Sequence, residues 1–449
     1  MAQTPRLAAA GLALVVCLVG CTGPVGPAGE QGDAGPPGPE GAAGPAGPAG
    51  PAGPGGSGVA GDAATGDGAA ATAALIPVAC LSPCHGFTGV VAQYQSSQHY
   101  IAYVTNLGSE TAAEWTTPGD PCGNCHAIDA LGNRVSGNVL TADDGGVANL
   151  ASGELSYLDP VKDSLAYANY TGTATVAQVY CTTCHAVTDA NDPHKTGIPW
   201  TPGSFPLEVS PEGGTVYLEK SPSAGSVTGT DAGFFGPSDT CMWCHHSRVD
   251  ITNYVTATGN KITSVYWGPH EGPQADLFTG VGGYHFAGQT YGESTHEQKL
   301  GCVDCHMVNV ADNSNVPDHS FNPQISACLP CHAGITTFDV NGFETQMQDE
   351  LTQIETYLNG EGLLTRATAS PYSPLGAAEL GDGNWSQDEP APGGSLEGGL
   401  LTKDQAGALY NYLLVARGGA YGVHNPKYIG EILFDSATAF DLTPLYPRP

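Results

Sequence analysis

Fourteen cysteines and fourteen histidines occur in this chain, and most of them fall in one pattern. Cys-x-x-Cys-His occurs five times: Cys122, Cys125 and His126; Cys181, Cys184 and His185; Cys241, Cys244 and His245; Cys302, Cys305 and His306; Cys328, Cys331 and His332. A sixth set, Cys80, Cys84 and His85, has one extra residue between its thiols. Two thiols one turn apart, followed at once by an imidazole, form the pattern of covalent haem c attachment. The thiols add to the vinyl groups and the imidazole binds the iron from one face. Zinc would want Cys and His in sets of four, and a redox dithiol has no need of the histidine. The expected cofactor content is six haem c, or five if the longer Cys80–Cys84 loop is not loaded.

Twelve of the fourteen cysteines are used by the motifs, so haem supplies the cross-links and no thiol is left for a structural disulfide. The other two, Cys17 and Cys21, lie in a segment that reads as an export signal over residues 1–20. Arg6 provides its positive charge, and Leu7 to Val19 is an apolar run too short for an ordinary membrane span. Its end, Leu18-Val19-Gly20-Cys21, resembles the lipobox of bacterial lipoproteins, which implies lipidation at Cys21 and anchoring at the outer membrane, at the cell surface or facing the periplasm.

Six motif histidines leave eight others. An iron with two imidazoles suits electron transfer, whereas an iron lacking its second ligand can bind substrate. The segments Pro193-His194-Lys195-Thr196-Gly197, Gly268-Pro269-His270-Glu271-Gly272, Ser294-Thr295-His296, His319-Ser320-Phe321 and Gly422-Val423-His424-Asn425-Pro426 resemble the multihaem c-type cytochromes of metal-reducing bacteria. They are similar, more distantly, to the group containing cytochrome c nitrite reductase and octahaem tetrathionate reductase. The resemblance runs from Cys80 to the C-terminus and is strongest at 241–332 and 406–433. It implies that His194, His270, His296, His319 and His424 are distal iron ligands, with His99 a sixth. His246, beside a motif histidine, and His285 stand where such relatives often carry Gln and Glu; both read as surface or ligand-supporting groups. The nitrite reductases mark their catalytic haem with Lys in place of the motif His, and no Cys-x-x-Cys-Lys occurs here.

Ahead of the motifs, glycine recurs every third residue from Gly23 to Gly55. This resembles collagen, in which only Gly fits at the axis of three wound chains. It implies a stalk over 21–58, whose periodic run 23–55 would reach about 100 Å at about 3.1 Å per residue, and leaves open a homotrimer. Residues 59–79 read as a flexible linker. The haem-binding region is expected at 80–340, and a helical region supplying one distal ligand at 341–449. The expected fold class is a multihaem cytochrome c, mostly irregular with α-helices, its core formed by haems. Ile251 to Trp267, alternating around Gly259-Asn260, suggests a minor β-hairpin. Helical spacing runs from Phe343 to Leu358. Thr402-x-x-Gln405 is a capping box opening a helix closed by Gly418-Gly419, and Asn425-Pro426 opens a last one just after His424.

The charge is acidic, 13 Lys and Arg against 44 Asp and Glu, which argues against nucleic acid as a partner. The reading is a six-haem electron-transfer protein passing electrons to other cytochromes or to an extracellular acceptor. The shortest motif interval, His306 to His332, suggests that the fifth and sixth haems stack. One alternative is a reductase of small nitrogen or sulfur oxyanions with one open iron, for which Arg248 would line the pocket if it does not pair with a haem propionate. Another is a filament-forming extracellular cytochrome.

Overall fold

Cysteines three residues apart meet on one side of a single helical turn, and the computed structural model builds its motif regions in that way. It describes residues 89–100, 123–126, 128–135, 140–141, 156–159, 164–169, 179–198, 200, 205–209, 215–217, 226–228, 236–247, 251–309, 316–366, 388–396 and 399–449. The chain divides into two units, Met1–Ala71 and Thr72–Pro449. All described residues belong to the second. The expected signal, Cys21, the collagen-like stretch, the linker, Cys80, Cys84, His85, Cys122 and Arg248 lie outside them.

The helices, in order, are α1 (Val90–Gln95), α2 (Gly123–His126), α3 (Ala130–Val135), α4 (Cys181–Cys184), α5 (Pro193–Thr196), α6 (Asp239–Met242), α7 (Gln274–Thr279), α8 (Thr295–Lys299), α9 (Cys302–His306), α10 (Ile325–Cys328), α11 (Phe343–Gly360), α12 (Lys403–Gly418) and α13 (Pro426–Ala439). Five of these, α2, α4, α6, α9 and α10, carry motif cysteines and run only four or five residues. Such short helices are not stable alone. Strands β1 (Leu140–Thr141), β2 (Ser156–Asp159) and β3 (Ser164–Asn169) form a small antiparallel sheet in the order β1-β3-β2. Two further pairs are β4 (Thr215–Tyr217) with β5 (Ser226–Thr228), and β6 (Leu364–Arg366) with β7 (Asp388–Pro390). No helix among the described residues is long and apolar enough to cross a membrane.

The expected hairpin over Ile251–Trp267 does not form. Ile251–Asn253 is a 3-10 turn, and the Asn260 backbone bridges to Leu401. The Asn260 side chain bonds both backbone groups of Thr256, which closes a local turn and diverts the chain from strand pairing. Val255, Ile262 and Trp267 all enter the helical core, so their alternation reflects burial and not a sheet face.

That core lies among α11, α12 and α13. The capping box forms as expected: Thr402 Oγ1 accepts from the Gln405 N–H, and Gln405 Oε1 from the Thr402 N–H. Gly419, at φ +66°, closes α12 in the left-handed conformation. Helix α12 is buried almost all round. A Cβ at Gly407 would come within 2.1 Å of the Tyr284 ring, so a bare glycine lets the 280s loop lie against the helix. Asn411, fully buried, fixes that loop by exchanging both hydrogen bonds with the Tyr284 backbone.

Candidate haem-iron centres

Two long-range clasps on this helical block bring histidines toward the motifs. Asn425 caps α13 by accepting from the Tyr428 N–H, and its amide donates to the Phe278 carbonyl at the end of α7. His424 is thereby held at the junction of α7 and α13. On the other side, Gln274 at the start of α7 donates to the Gly418 carbonyl, and its Oε1 lies 3.1 Å from His245 Nδ1.

Four motif histidines each face one of the histidines expected as distal ligands. His185 and His319 have ring centroids 6.3 Å apart, His306 and His424 6.3 Å, His332 and His296 6.1 Å, and His245 and His99 5.9 Å. A metal–imidazole bond is about 2.0–2.1 Å and a ring nitrogen lies about 1.1 Å from its centroid, so imidazoles on opposite sides of one metal have centroids about 6.3 Å apart. All four pairs match that spacing. Among the described residues no group of three or more His, Cys, Asp and Glu is placed to hold a metal ion. Pairs at this distance therefore suit an iron whose other four ligands come from a porphyrin.

The second nitrogen of most of these rings has a partner. Nδ1 donates to the carbonyl of Pro206 from His185 (3.0 Å), of Phe321 from His306 (2.8 Å), of Pro317 from His319 (2.8 Å) and of Val423 from His296 (2.7 Å). In His245 it donates to Gln274. An Nδ1–H bonded to an acceptor leaves the Nε2 lone pair free for a metal and raises its basicity. No such acceptor is found for His99 or His332 among the described residues, and His424 differs from all of them in that its Nδ1 is buried with no partner among the described residues.

Burial keeps the rings neutral, as ligation requires. It pushes His424 down to about 3, with repulsion from His306, His245 and His296 adding to the effect. It pushes His99 down to about 4, helped by His245 and His126. His185, His245 and His319 are also lowered by burial, against which their hydrogen bonds work.

Phe321 joins three of the pairs. Its ring meets His99 edge-on at 4.9 Å and His319 at 5.9 Å, while its carbonyl serves His306. It adopts φ +59°, uncommon for a bulky residue, and the turn it makes aims the carbonyl.

The thiols also approach one another. Cys241 and Cys302, from different motifs, are hydrogen-bonded, which together with burial holds the Cys241 thiol up. Cys184 lies close enough to Cys241 to act on its ionisation, and Cys328 acts likewise on Cys305, which burial raises to about 11. The motifs thus neighbour each other in chain order from Cys181 to His332. The direct thiol contact joins the fourth and fifth motifs, and Cys305 and Cys328 bring the fifth near the sixth.

Of the remaining histidines, His126 lies near His99, and His270 donates its Nδ1–H to the Glu271 carbonyl at 2.6 Å. His194 falls within α5, and its side chain is outside the described set. His246 is not a surface group: it is fully buried, with Nε2 3.1 Å from the Trp243 carbonyl. His285 stacks on Tyr291 at 4.4 Å, has Nε2 3.0 Å from the Tyr428 hydroxyl and is also bonded to the Gly280 backbone. Neither is paired with a motif histidine by the contacts described. Sequence reasoning missed Gln274, Asn425 and Phe321 as supports. The proline one position before Gln274 hinted at a helix start, but most acceptors are main-chain carbonyls, which no residue type announces.

No family model matches the chain. It is 25% identical over 381 residues to the C-type polyheme cytochrome OmcB of Geobacter sulfurreducens, in strains DL-1/KN400 and PCA alike, across 75% of this chain. It spans only 46% of those relatives' length. Among solved structures, the outer cell wall cytochrome OcwA aligns over 78% of this chain and 50% of its own, at a TM-score of 0.39 and 16% identity. The repeated attachment motifs, the imidazole pairs and the sequence likeness to a polyhaem cytochrome agree, and together they support the multihaem c-type cytochrome family for this chain.

Proposed function

We propose that the chain is an electron-transfer cytochrome carrying six haem c groups, each iron held between two imidazoles. The observation that carries this reading is the set of four motif–distal histidine pairs at 5.9–6.3 Å. The ligand pairs are His185 with His319, His245 with His99, His306 with His424, and His332 with His296. His194 and His270 then serve the irons of His85 and His126. Each haem, when bound, supplies one Fe(III)/Fe(II) couple. The chain's own residues keep the imidazoles neutral, orient them through Nδ1 and hold successive attachment thiols close together, so that electrons pass along the motifs in chain order.

The lipobox-like segment ending at Cys21 and the glycine-periodic stretch support a lipid-anchored, stalked protein of the outer membrane. Its partners would be other cytochromes or an extracellular acceptor. Two imidazoles per iron and acidic surroundings both favour the ferric state, so the potentials are low.

The test is a haem mass count of the mature protein together with its optical and EPR spectra. Six haems, wholly low-spin and slow to bind carbon monoxide when reduced, are expected. A high-spin signal or rapid carbon monoxide binding would replace this reading with that of a reductase having an open iron.

A further inference from the structure

The four described imidazole pairs are chemically alike, but their surroundings are not. His319 and His296 hand Nδ1–H to a backbone carbonyl, as do His185 and His306 among the motif rings, and His245 hands it to Gln274. His99 and His332 have no such bond among the described residues, but neither ring has a nitrogen that is both buried and unpartnered. His424 alone of the eight rings has its Nδ1 sealed inside the protein with no acceptor among the described residues. The sealing is built in: Asn425, fully buried, ties the segment to Phe278, and the preceding Val423 carbonyl is already engaged by His296. Helices α7 and α13 and the Asn425 clasp fix His424, so the ring's position does not depend on Nδ1.

A hydrogen bond at the outer nitrogen makes an imidazole a stronger donor, and a stronger donor favours ferric over ferrous iron. Without it, the ferrous state gains. Resting on the ligand pairs proposed above, we infer that the iron between His306 and His424 has the highest reduction potential of the four, and that the first electron among them settles there. Outer-shell hydrogen bonds alter metal affinity by about 10–100-fold; if a tenfold share of that discriminates between the oxidation states, the one-electron potential rises by about 59 mV. His424 also lies near enough to His245 and His296 to feel their charge. The proposed sink therefore sits beside the centres before and after it in the chain order, where an electron arriving from either side can be held.

The experiment is a redox titration of the loaded wild-type protein and of His424→Met, with His319→Met as the comparison. Methionine raises the potential of the haem it ligates. In His424→Met the wave that moves upward should be the one already highest among the four; in His319→Met a lower wave should move. If His424→Met instead removes a lower wave and leaves the highest in place, the inference is overturned while the ligand pair stands. If no wave and no low-spin signal changes in His424→Met, the ligand pair itself is wrong. Should that variant not fold, EPR-monitored titration of the wild type decides. The rings of His306 and His424 are near-parallel, at 28°. Of the signals from these four irons, the first lost on reduction must then be of the near-parallel kind and must persist unchanged in His319→Met. Loss of a crossed-ring signal first, or of one that His319→Met abolishes, overturns the inference.

Discussion

His296 donates its Nδ1–H to the carbonyl of Val423, the residue immediately before His424. The distal candidate facing His332 is thus oriented by the backbone that places the distal candidate facing His306. The two centres share a support, which Asn425 ties to α7.

Asn425→Ala should disturb both centres together. It removes an N-cap, which costs about 1 kcal/mol, and also leaves the buried Phe278 carbonyl without its donor, which costs about 1–3 kcal/mol more. Unfolding midpoints should fall accordingly. Spectra should show two low-spin haems altered, those of His306 and His332, and the centre of His185 unchanged. Alteration of one alone would show that the supports are independent.

The ring planes predict two classes of EPR signal. His185/His319 and His306/His424 are each at 28°, whereas His245/His99 and His332/His296 are at 68° and 88°. Parallel imidazoles act on one iron dπ orbital and separate it from its partner. Crossed imidazoles act on both and leave them close in energy, which gives a far more anisotropic signal. Low-temperature EPR of the oxidised protein should contain both kinds. A spectrum of a single kind would contradict the paired geometry.

Gln274→Leu strips the acceptor from His245 Nδ1 and so imposes on that ring what His424 has naturally. The potential of the His245 iron should rise by about 60 mV for a tenfold effect. An unchanged set of potentials in a folded variant would show that the outer hydrogen bond does not tune these irons.

Phe321→Gly should separate ring from backbone. Glycine accepts φ +59° without strain, so the carbonyl can still serve His306 while the ring contacts to His99 and His319 are lost. The signals of the His245 and His185 irons should change and that of His306 should not. A change confined to His306 would refute the division of roles.

Asp239 predicts a pH dependence. It is 1% exposed, neither carboxylate oxygen has a partner among the described residues, and burial raises its pKa from 3.8 to about 6. Below 3.8 the folded and unfolded chains both hold the proton, and the buried group costs nothing extra. As pH rises toward 6 the unfolded chain ionises first, and stability is lost until the folded group also ionises. Asp239→Asn should therefore match wild type near the lower limit and be the more stable above the upper one, by thermal midpoint. Equal midpoints at pH 7 and above would rule this out.

The candidate attachment residues are legible in the sequence because their chemistry is local: two thiols and an imidazole must lie within one turn, and spacing alone states that. So are α11, α12 and α13, whose apolar periods and capping residues at Thr402, Asn425 and Gly419 act over a few positions. The hairpin at Ile251–Trp267 was misread because alternation cannot tell a sheet face from a loop whose apolar side chains enter a helical core. Which candidate distal histidine faces which motif histidine is visible only in the tertiary structure. His99 reaches His245 and His424 reaches His306 across long stretches of chain, through clasps made by Gln274, Asn425 and backbone carbonyls. Those partners are chosen by packing, and the same packing left His424 Nδ1 without an acceptor, a difference that no residue type in the sequence could signal.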